Sequence, residues 1–72
     1  MDAEKTGKLI REKRQALGMS QRDLAEVLNI SDKAVSKWER GKTFPDISML
    51  IPLSKTLKVS LYDLLTGGIE DE

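Results

Sequence analysis

The sequence predicts an all-α fold, a compact domain of five short helices. Capping and turn residues divide the chain into five segments, and apolar residues recur within them at intervals of three and four. No segment alternates as paired strands would. The chain has 72 residues, enough for one domain, and contains no cysteine or histidine. Because disulfides and ordinary structural zinc are thereby excluded, helix packing or a partner subunit must supply the stability.

The first predicted helix lies within residues 2–18. Its inward residues are expected to be Leu9, Ile10, Arg14 and Leu17, which recur at three- and four-residue intervals. Gly18 follows as a stop, since glycine readily adopts the left-handed backbone that ends many helices. Gly7 weakens the early turns and leaves the start of the helix open.

The second predicted helix begins at Ser20, a good N-cap residue, and Asp23 three residues later resembles a capping box. Asn29 tolerates the left-handed conformation and can end the helix. The expected inward residues are Leu24, Ala25, Val27 and Leu28.

The third predicted helix is capped by Ser31 and stops at Gly41, and its two faces differ in chemistry. On a wheel with about 100° per residue, one side holds Ala34, Val35 and Trp38. The other side, called here the polar arc, holds Asp32, Lys33, Ser36, Lys37 and Arg40. We expect Trp38 to be buried against the first and fourth helices, which would turn the whole polar arc toward solvent.

The fourth predicted helix is capped by Asp46. Its expected inward face consists of Ile47, Leu50, Ile51, Ser54 and Leu57. Pro52 lies within this stretch, where proline removes a hydrogen bond and clashes with the preceding turn. We favour a continuous helix kinked at Pro52. The alternative is a separate turn at 46–50, followed by a helix with Pro52 in its first turn.

The fifth predicted helix starts after Ser60, which repeats the capping signature together with Asp63, and it ends at Gly67 and Gly68. Residues 1–66 would then form the domain. Residues 67–72 are expected to be a flexible acidic tail or the start of a linker.

The net charge of zero conceals an uneven distribution. Residues 1–42 hold ten basic and seven acidic side chains, whereas residues 43–72 hold two basic and five acidic ones. Such asymmetry hints at nucleic-acid contact through one face. An ordinary solvated surface explains the same counts.

The connection between the second and third predicted helices is only Asn29-Ile30-Ser31, so the two helices must cross steeply. That is helix-turn-helix geometry, in which the second helix enters the DNA major groove. Lysine can donate to guanine or phosphate, aspartate can accept from cytosine, and serine can do either. Two simpler interpretations stay open: Asp32 complements the helix dipole, and Lys33 and Lys37 form a solvated face.

The segment MSQRDLAEVLNISDKAVSKWERGKTFPD resembles the Cro/phage-repressor type of helix-turn-helix domain, the xenobiotic-response-element family of bacterial regulators. The resemblance extends over about residues 6–66. It implies a lambda-repressor-like domain with the helix-turn-helix at helices 2 and 3. The implied function is sequence-specific binding of double-stranded DNA by a bacterial or phage transcriptional regulator, with helix 31–40 reading the major groove.

The resemblance also implies roles for single residues. The residues expected at base edges are Asp32, Lys33, Ser36 and Lys37. The residues expected at phosphates are Gln21, Arg40, Lys42 and Thr43. Arg14 and Glu39 are expected to form an internal ion pair between the first and third helices. The sequence departs from the family pattern at Asn29 and Lys58, where glycine is common, and at Asp32, which is acidic where many relatives are neutral or basic.

Other function classes fit the sequence less well. Without histidine or cysteine the common acid–base and nucleophilic sites are missing, and no glycine-rich phosphate loop precedes a helix. No enzymatic activity, cofactor or metal site is therefore expected. The main alternative is a protein-interaction module, such as an antitoxin whose main partner is another protein.

Further partners are compatible with the sequence. A homodimer could form through Leu61, Tyr62, Leu65 and Ile69, although capping of the core explains these residues equally well. A linker at Gly67-Gly68 could lead to a C-terminal effector domain or another protein partner. The sequence has no apolar run of about eighteen residues and no signal-peptide core, so we expect a cytoplasmic protein without a membrane span.

Overall fold

The computed structural model describes residues 2–68, which form five α-helices and no strand. The helices are α1 (Ala3–Ala16), α2 (Gln21–Leu28), α3 (Asp32–Glu39), α4 (Ile47–Leu57) and α5 (Leu61–Thr66). The all-α, five-helix prediction is therefore confirmed. None of the helices within the described range is long and apolar enough to cross a bilayer.

Side-chain caps fix where the helices begin. At α2 the capping box is complete, since the Asp23 N–H donates to Ser20 Oγ and the Ser20 N–H donates to Asp23 Oδ2, both at 2.9 Å. Ser31, Asp46 and Ser60 cap α3, α4 and α5, as predicted. The start of α1, which the sequence left open, is fixed by Asp2, whose carboxylate accepts from two first-turn amides. These bonds satisfy amides that have no partner within their own helix.

All five helices contribute side chains to one hydrophobic core. α1 packs against α3, α4 and α5, while α2 packs against α3 and α4. The largest fully buried apolar side chains are Ile10, Leu24, Val35, Leu53 and Leu64. Trp38 is also buried, as predicted, while its expected contact with the fourth helix stays a prediction. A buried hydrogen bond also joins α1 to α5: Thr6 Oγ1 donates to the carbonyl of Leu64 at 2.6 Å.

At Gly7 the backbone of α1 lies directly against the backbone of α3. A Cβ at this position would overlap the carbonyl oxygen of Trp38 and would lie 3.0 Å from its carbonyl carbon. The residue that weakens the first turns of α1 is therefore the one that lets the backbone of α3 pack directly on α1. The sequence pattern gave no sign of this contact.

Periodicity misassigned several apolar residues to the core. Leu17 and Val27 are exposed, the latter to 59%. Leu17 lies past the end of α1, where it serves as the C-cap. On α2 the buried residues are Leu24, Ala25 and Leu28, which already fill the contact with neighbouring helices, and Val27 falls beyond the edge of that stripe.

The buried face of α4 also differs from the predicted one. Ile47 and Ile51 are exposed to 81% and 55%, and the buried stripe is Leu50, Leu53 and Leu57. Leu53 replaces Ile51 in the buried stripe, so the side of α4 that faces the core is rotated from the predicted one, and Met49 packs on the core as well. α4 is continuous through Pro52, as favoured from the sequence, while the kink stays a prediction.

The end of α4 adopts a left-handed backbone at Lys58, with φ 61°. The family that the sequence resembles often has glycine or asparagine at this position, and Lys58 adopts the backbone conformation that glycine would supply. Two bonds hold the turn: the Val59 N–H donates to the Ser54 carbonyl at 3.1 Å, and Ser54 Oγ donates to the Val59 carbonyl. The lysine therefore leaves the end of α4 intact.

Candidate nucleic-acid interface

The turn between α2 and α3 sets the direction in which α3 points. Asn29 adopts the left-handed conformation, with φ 59° and ψ 45°, and ends α2 as predicted. The Ile30 N–H donates to the Ala25 carbonyl at 2.9 Å, while the Ile30 side chain packs on the core. Ser31 Oγ then accepts from the Ala34 N–H at 3.2 Å and starts α3. Residues 21–39 thus form a helix-turn-helix.

The two faces of α3 are separated as the wheel predicted. Val35 and Trp38 are buried and attach the helix to the core, and Ala34 is half-buried. On the polar arc, Asp32, Lys33, Lys37 and Arg40 are exposed, and Ser36 is half-buried. The structure therefore brings the four expected base-reading residues together on one accessible side of a short, anchored helix.

Three charged side chains of the polar arc have no charged partner within residues 2–68. Neither Lys33 nor Lys37 forms an ion pair there, and Asp32 forms neither an ion pair nor a side-chain hydrogen bond. The N-cap of α3 is Ser31, so the carboxylate of Asp32 is left free to accept from a ligand. Two ammonium donors and one carboxylate acceptor are accordingly available for recognition.

The residues expected at phosphates follow the end of α3. Arg40 Nε donates to Ser36 Oγ at 3.2 Å, so the guanidinium folds back along the helix it follows. Lys42 and Thr43 are exposed, and the Lys42 N–H donates to the Lys37 carbonyl at 2.9 Å. This bond keeps the loop close to the last turn of α3. The sequence analysis did not anticipate the contact between Arg40 and Ser36.

A nearly buried ion pair connects the helix-turn-helix to α1. Arg14 Nε and Nη2 donate to Glu39 Oε2 and Oε1 at 2.6 and 2.9 Å, and the two side chains are only 10% and 4% exposed. Arg14 Nη1 also donates to the Met19 carbonyl at 2.8 Å. The hydrogen bond to Glu39 raises the pKa of Arg14. The pair named by the resemblance is in contact here and joins the end of α1 to the end of α3.

Gln21 takes part in the same cluster. Its Nε2 donates to Glu39 Oε1 at 3.0 Å, so the carboxylate binds side chains from the end of α1 and the start of α2 at once. The sequence analysis gave Gln21 only a phosphate-contacting role and missed this bond. An arginine within the apolar stripe of α1 was the available signal, because a buried guanidinium needs several acceptors and its acceptor needs further donors.

Residues 2–68 do not form a metal site or an incompletely hydrogen-bonded buried polar cluster. They contain no group of three or more acidic, histidine or cysteine side chains placed to hold a metal ion. Nor do they contain a buried side-chain nitrogen or oxygen without a hydrogen-bond partner.

Comparison with known proteins finds a matching family and similar regulatory proteins. The family described as helix-turn-helix matches residues 10–64. Repressor protein C2 of Salmonella phage P22 is 36% identical over 69 residues, which cover 96% of this chain and 32% of the repressor. The HTH-type transcriptional regulator DicA of Escherichia coli strain K12 is 44% identical over 61 residues, which cover 85% of this chain and 45% of DicA. The chain thus spans less than half of the length of either relative.

A solved structure resembles the fold closely. The crystal structure of the P22 c2 repressor protein in complex with a synthetic operator matches with a TM-score of 0.82 and 39% identity. The match covers 86% of this chain and 94% of that one.

Proposed function

The chain belongs to the helix-turn-helix family, and we propose from this membership that it binds a specific sequence of double-stranded DNA as part of a bacterial or phage transcriptional regulator. One observation carries the proposal. Val35 and Trp38 anchor α3 to the core, so that the polar arc forms the accessible side of a helix held by a tight turn. A helix presented in this way fits the major groove of B-DNA.

The base-reading role is assigned to Asp32, Lys33, Ser36 and Lys37. Lysine donors suit the acceptors of guanine, an aspartate acceptor suits the amine of cytosine, and a serine hydroxyl can serve either kind of edge. Ser36 already accepts from Arg40, but its own hydroxyl hydrogen stays available. The unpaired charges of Asp32, Lys33 and Lys37 within residues 2–68 support this assignment.

The phosphate-contacting role is assigned to Gln21, Arg40, Lys42 and Thr43. Gln21 opens α2, where helix amides without partners in their own helix face outward and favour an anion. Its bond to Glu39 would hold the side chain in place for such a contact. The exposed Arg40, Lys42 and Thr43 follow α3 directly, where phosphates flank the groove that the helix would occupy.

The relative of known structure supports duplex DNA as the ligand. The c2 repressor is described in complex with a synthetic operator, and it shares the fold at 39% identity. The whole chain has no histidine or cysteine, on which many acid–base and nucleophilic sites depend, and this supports a binding function without enzymatic activity or cofactor. A cytoplasmic location is part of the same proposal, because the ligand would be cellular DNA.

We propose a homodimer as the DNA-bound form. Leu61, Tyr62 and Leu65 of α5 are exposed, and Leu65 borders a groove whose other walls are Phe44, Pro45, Asp46, Ile47 and Leu50. Exposed apolar side chains beside such a groove favour a protein interface. Ile69, which we also assigned to this surface, lies outside the described residues.

Two further predictions stay open. They are the domain boundary at residue 66 and a C-terminal effector domain or other protein partner.

The same apolar surface is the observation that favours the alternative, a protein-interaction module of the antitoxin kind. Selection of bound sequences from a pool of random duplex DNA decides between the two. The proposed function predicts an enriched motif, and a two-fold symmetric motif if the protein binds as a dimer. Recovery of the starting pool, together with no salt-dependent binding to duplex DNA, would remove the DNA-binding proposal in favour of the alternative.

A further inference from the structure

We infer that the half-site read by α3 is built from G·C base pairs, with guanines facing Lys33 and Lys37 and a cytosine facing Asp32. This inference rests on the proposed function and adds the chemical class of the sequence that is bound. It follows from which hydrogen-bonding groups of α3 are free, from which residue types α3 lacks, and from the spacing of the two lysines.

The two lysines supply donors only. Lys33 and Lys37 are exposed one helical turn apart, and neither forms an ion pair within residues 2–68. In the major groove, guanine presents two neighbouring acceptors, N7 and O6, whereas adenine presents one acceptor beside an amine and thymine presents one acceptor beside a methyl group. An ammonium group therefore gains most from guanine.

Asp32 supplies only acceptors. Its carboxylate is exposed and makes no hydrogen bond within the described range, because Ser31 provides the cap of α3. Both cytosine N4 and adenine N6 can donate to it, but adenine also carries the N7 acceptor beside its amine. Two acceptors facing each other repel, so cytosine is the better partner. Phosphates also repel the carboxylate. A hydrogen bond from cytosine N4 offsets this repulsion best.

The residue types that recognise A·T pairs are missing from the accessible side of α3. The helix, DKAVSKWE, contains no asparagine or glutamine, the side chains that bind adenine through two hydrogen bonds. Its small apolar residues lie on the other side, with Val35 buried and Ala34 half-buried, so neither is well placed to contact a thymine methyl group. The nearby amide of Gln21 donates to Glu39.

The spacing of the lysines predicts the arrangement of the guanines. Four residues of an α-helix rise by about 6 Å. Successive bases on one strand are separated by about 3.4 Å along the duplex axis, so this rise corresponds to roughly two base steps. With α3 lying along the major groove, we therefore expect two guanines about two base pairs apart in each half-site.

The test measures binding of the 72-residue chain to its selected duplex and to versions with single base-pair changes. Changing either guanine to adenine, or to 7-deazaguanine, which lacks the N7 acceptor, should weaken binding by about 5–150-fold. In Lys33→Ala, changing the guanine that faces Lys33 should no longer weaken binding. In Lys37→Ala, the same should hold for the guanine that faces Lys37. Lys55→Ala serves as the matched control, because Lys55 is an exposed lysine on α4 that should leave every preference unchanged.

Asp32→Asn provides a test in the opposite direction. Asparagine can bind adenine through two hydrogen bonds, so this variant should change the preference at one base pair from cytosine to adenine. An enriched A·T half-site, or G·C pairs whose exchange leaves affinity unchanged, would overturn the inference while specific DNA binding survives. Loss of all sequence-specific binding would instead overturn the proposed function on which it rests.

Discussion

At the scale of single residues, two buried contacts hold α3 in place. Gly7 permits direct packing of the α3 backbone on α1 at Trp38, and the next residue, Glu39, binds Arg14 and Gln21 at the same end of α3. Among these residues, only Gln21 is assigned a DNA contact in the proposed function. Both buried contacts would nevertheless affect binding, because the direction of the polar arc depends on how α3 sits on the core.

The Gly7 contact predicts that Gly7→Ala lowers the free energy of unfolding, although replacing glycine by alanine usually stabilises a helix. In an open helix, Gly→Ala stabilises by roughly 0.5–1 kcal/mol. Gly7→Ala should instead destabilise by about 1–3 kcal/mol, because the added methyl group meets the Trp38 carbonyl and the helices must separate. Urea unfolding measures this, with Lys8→Ala as the control at an exposed neighbour on α1. A Gly7→Ala variant more stable than the wild type would contradict the packing.

The Arg14–Glu39 pair predicts strong non-additivity. Removing one partner leaves the other charge buried without its counter-charge, which for a buried pair costs about 3–5 kcal/mol. Arg14→Met and Glu39→Gln should therefore each destabilise the domain, and the double variant should be more stable than the sum of the two losses implies. A double-mutant cycle of unfolding free energies provides the test. Additive losses would show that the two side chains are not energetically coupled.

At the scale of the elements, the capping box of α2 predicts a pH dependence. The hydrogen bond from the Ser20 backbone N–H lowers the pKa of Asp23 below its usual value. A lowered carboxyl pKa contributes stability that is present above the unfolded-state pKa and lost as the pH falls through the folded-state pKa. Asp23→Asn should therefore be less stable than the wild type at pH 7, and the difference should shrink toward about pH 2.

A matched variant makes the capping measurement specific. Asp32→Asn removes the same charge from an exposed carboxylate that makes no hydrogen bond in the described range, one helix further along. The difference in unfolding free energy between Asp32→Asn and the wild type should change less with pH than the corresponding difference for Asp23→Asn. If the two differences change equally with pH, the capping box contributes nothing beyond general charge effects.

The elements also show what the sequence could and could not predict. Helix starts at Ser20, Ser31, Asp46 and Ser60 were predictable because capping is local chemistry, encoded within three residues. The faces of α3 were predictable because polar and apolar residues separate completely on its wheel. The face of α4 was not, since periodicity alone treats Ile47 and Ile51 like the buried leucines.

Contacts between distant residues were harder still to predict. Gly7 looked only unfavourable, and Gln21 received a single role, because nothing in the local sequence reveals which backbone or carboxylate a neighbouring helix will bring near. The ion pair of Arg14 and Glu39 was named only through the family resemblance. Spacing alone would not have paired residues that are 25 positions apart.

At the scale of the whole molecule, the proposed dimer predicts the geometry of the DNA site. Two copies should bind half-sites whose centres lie about 34–36 Å apart, one turn of the duplex. Tyr62→Ser alters an exposed α5 side chain and should leave folding intact. It should weaken binding to the two-fold site while leaving binding to an isolated half-site unchanged, as measured by titration with labelled duplexes. Binding of the wild type as a monomer to a single unsymmetric site would contradict the dimer.

The central claim, that α3 reads bases while the residues after it bind phosphates, is tested most directly by the salt dependence of binding to the selected duplex and to random duplex. Arg40→Ala and Lys42→Ala should weaken binding to both duplexes alike and reduce the salt slope by about one. Lys33→Ala and Lys37→Ala should weaken binding mainly to the selected duplex, by about 1–3 kcal/mol each. Asp32→Ala should retain or raise affinity while the preference for the selected duplex falls. Equal losses on both duplexes in all five variants would contradict base reading by α3, and a wild type without salt-dependent DNA binding would contradict the function itself.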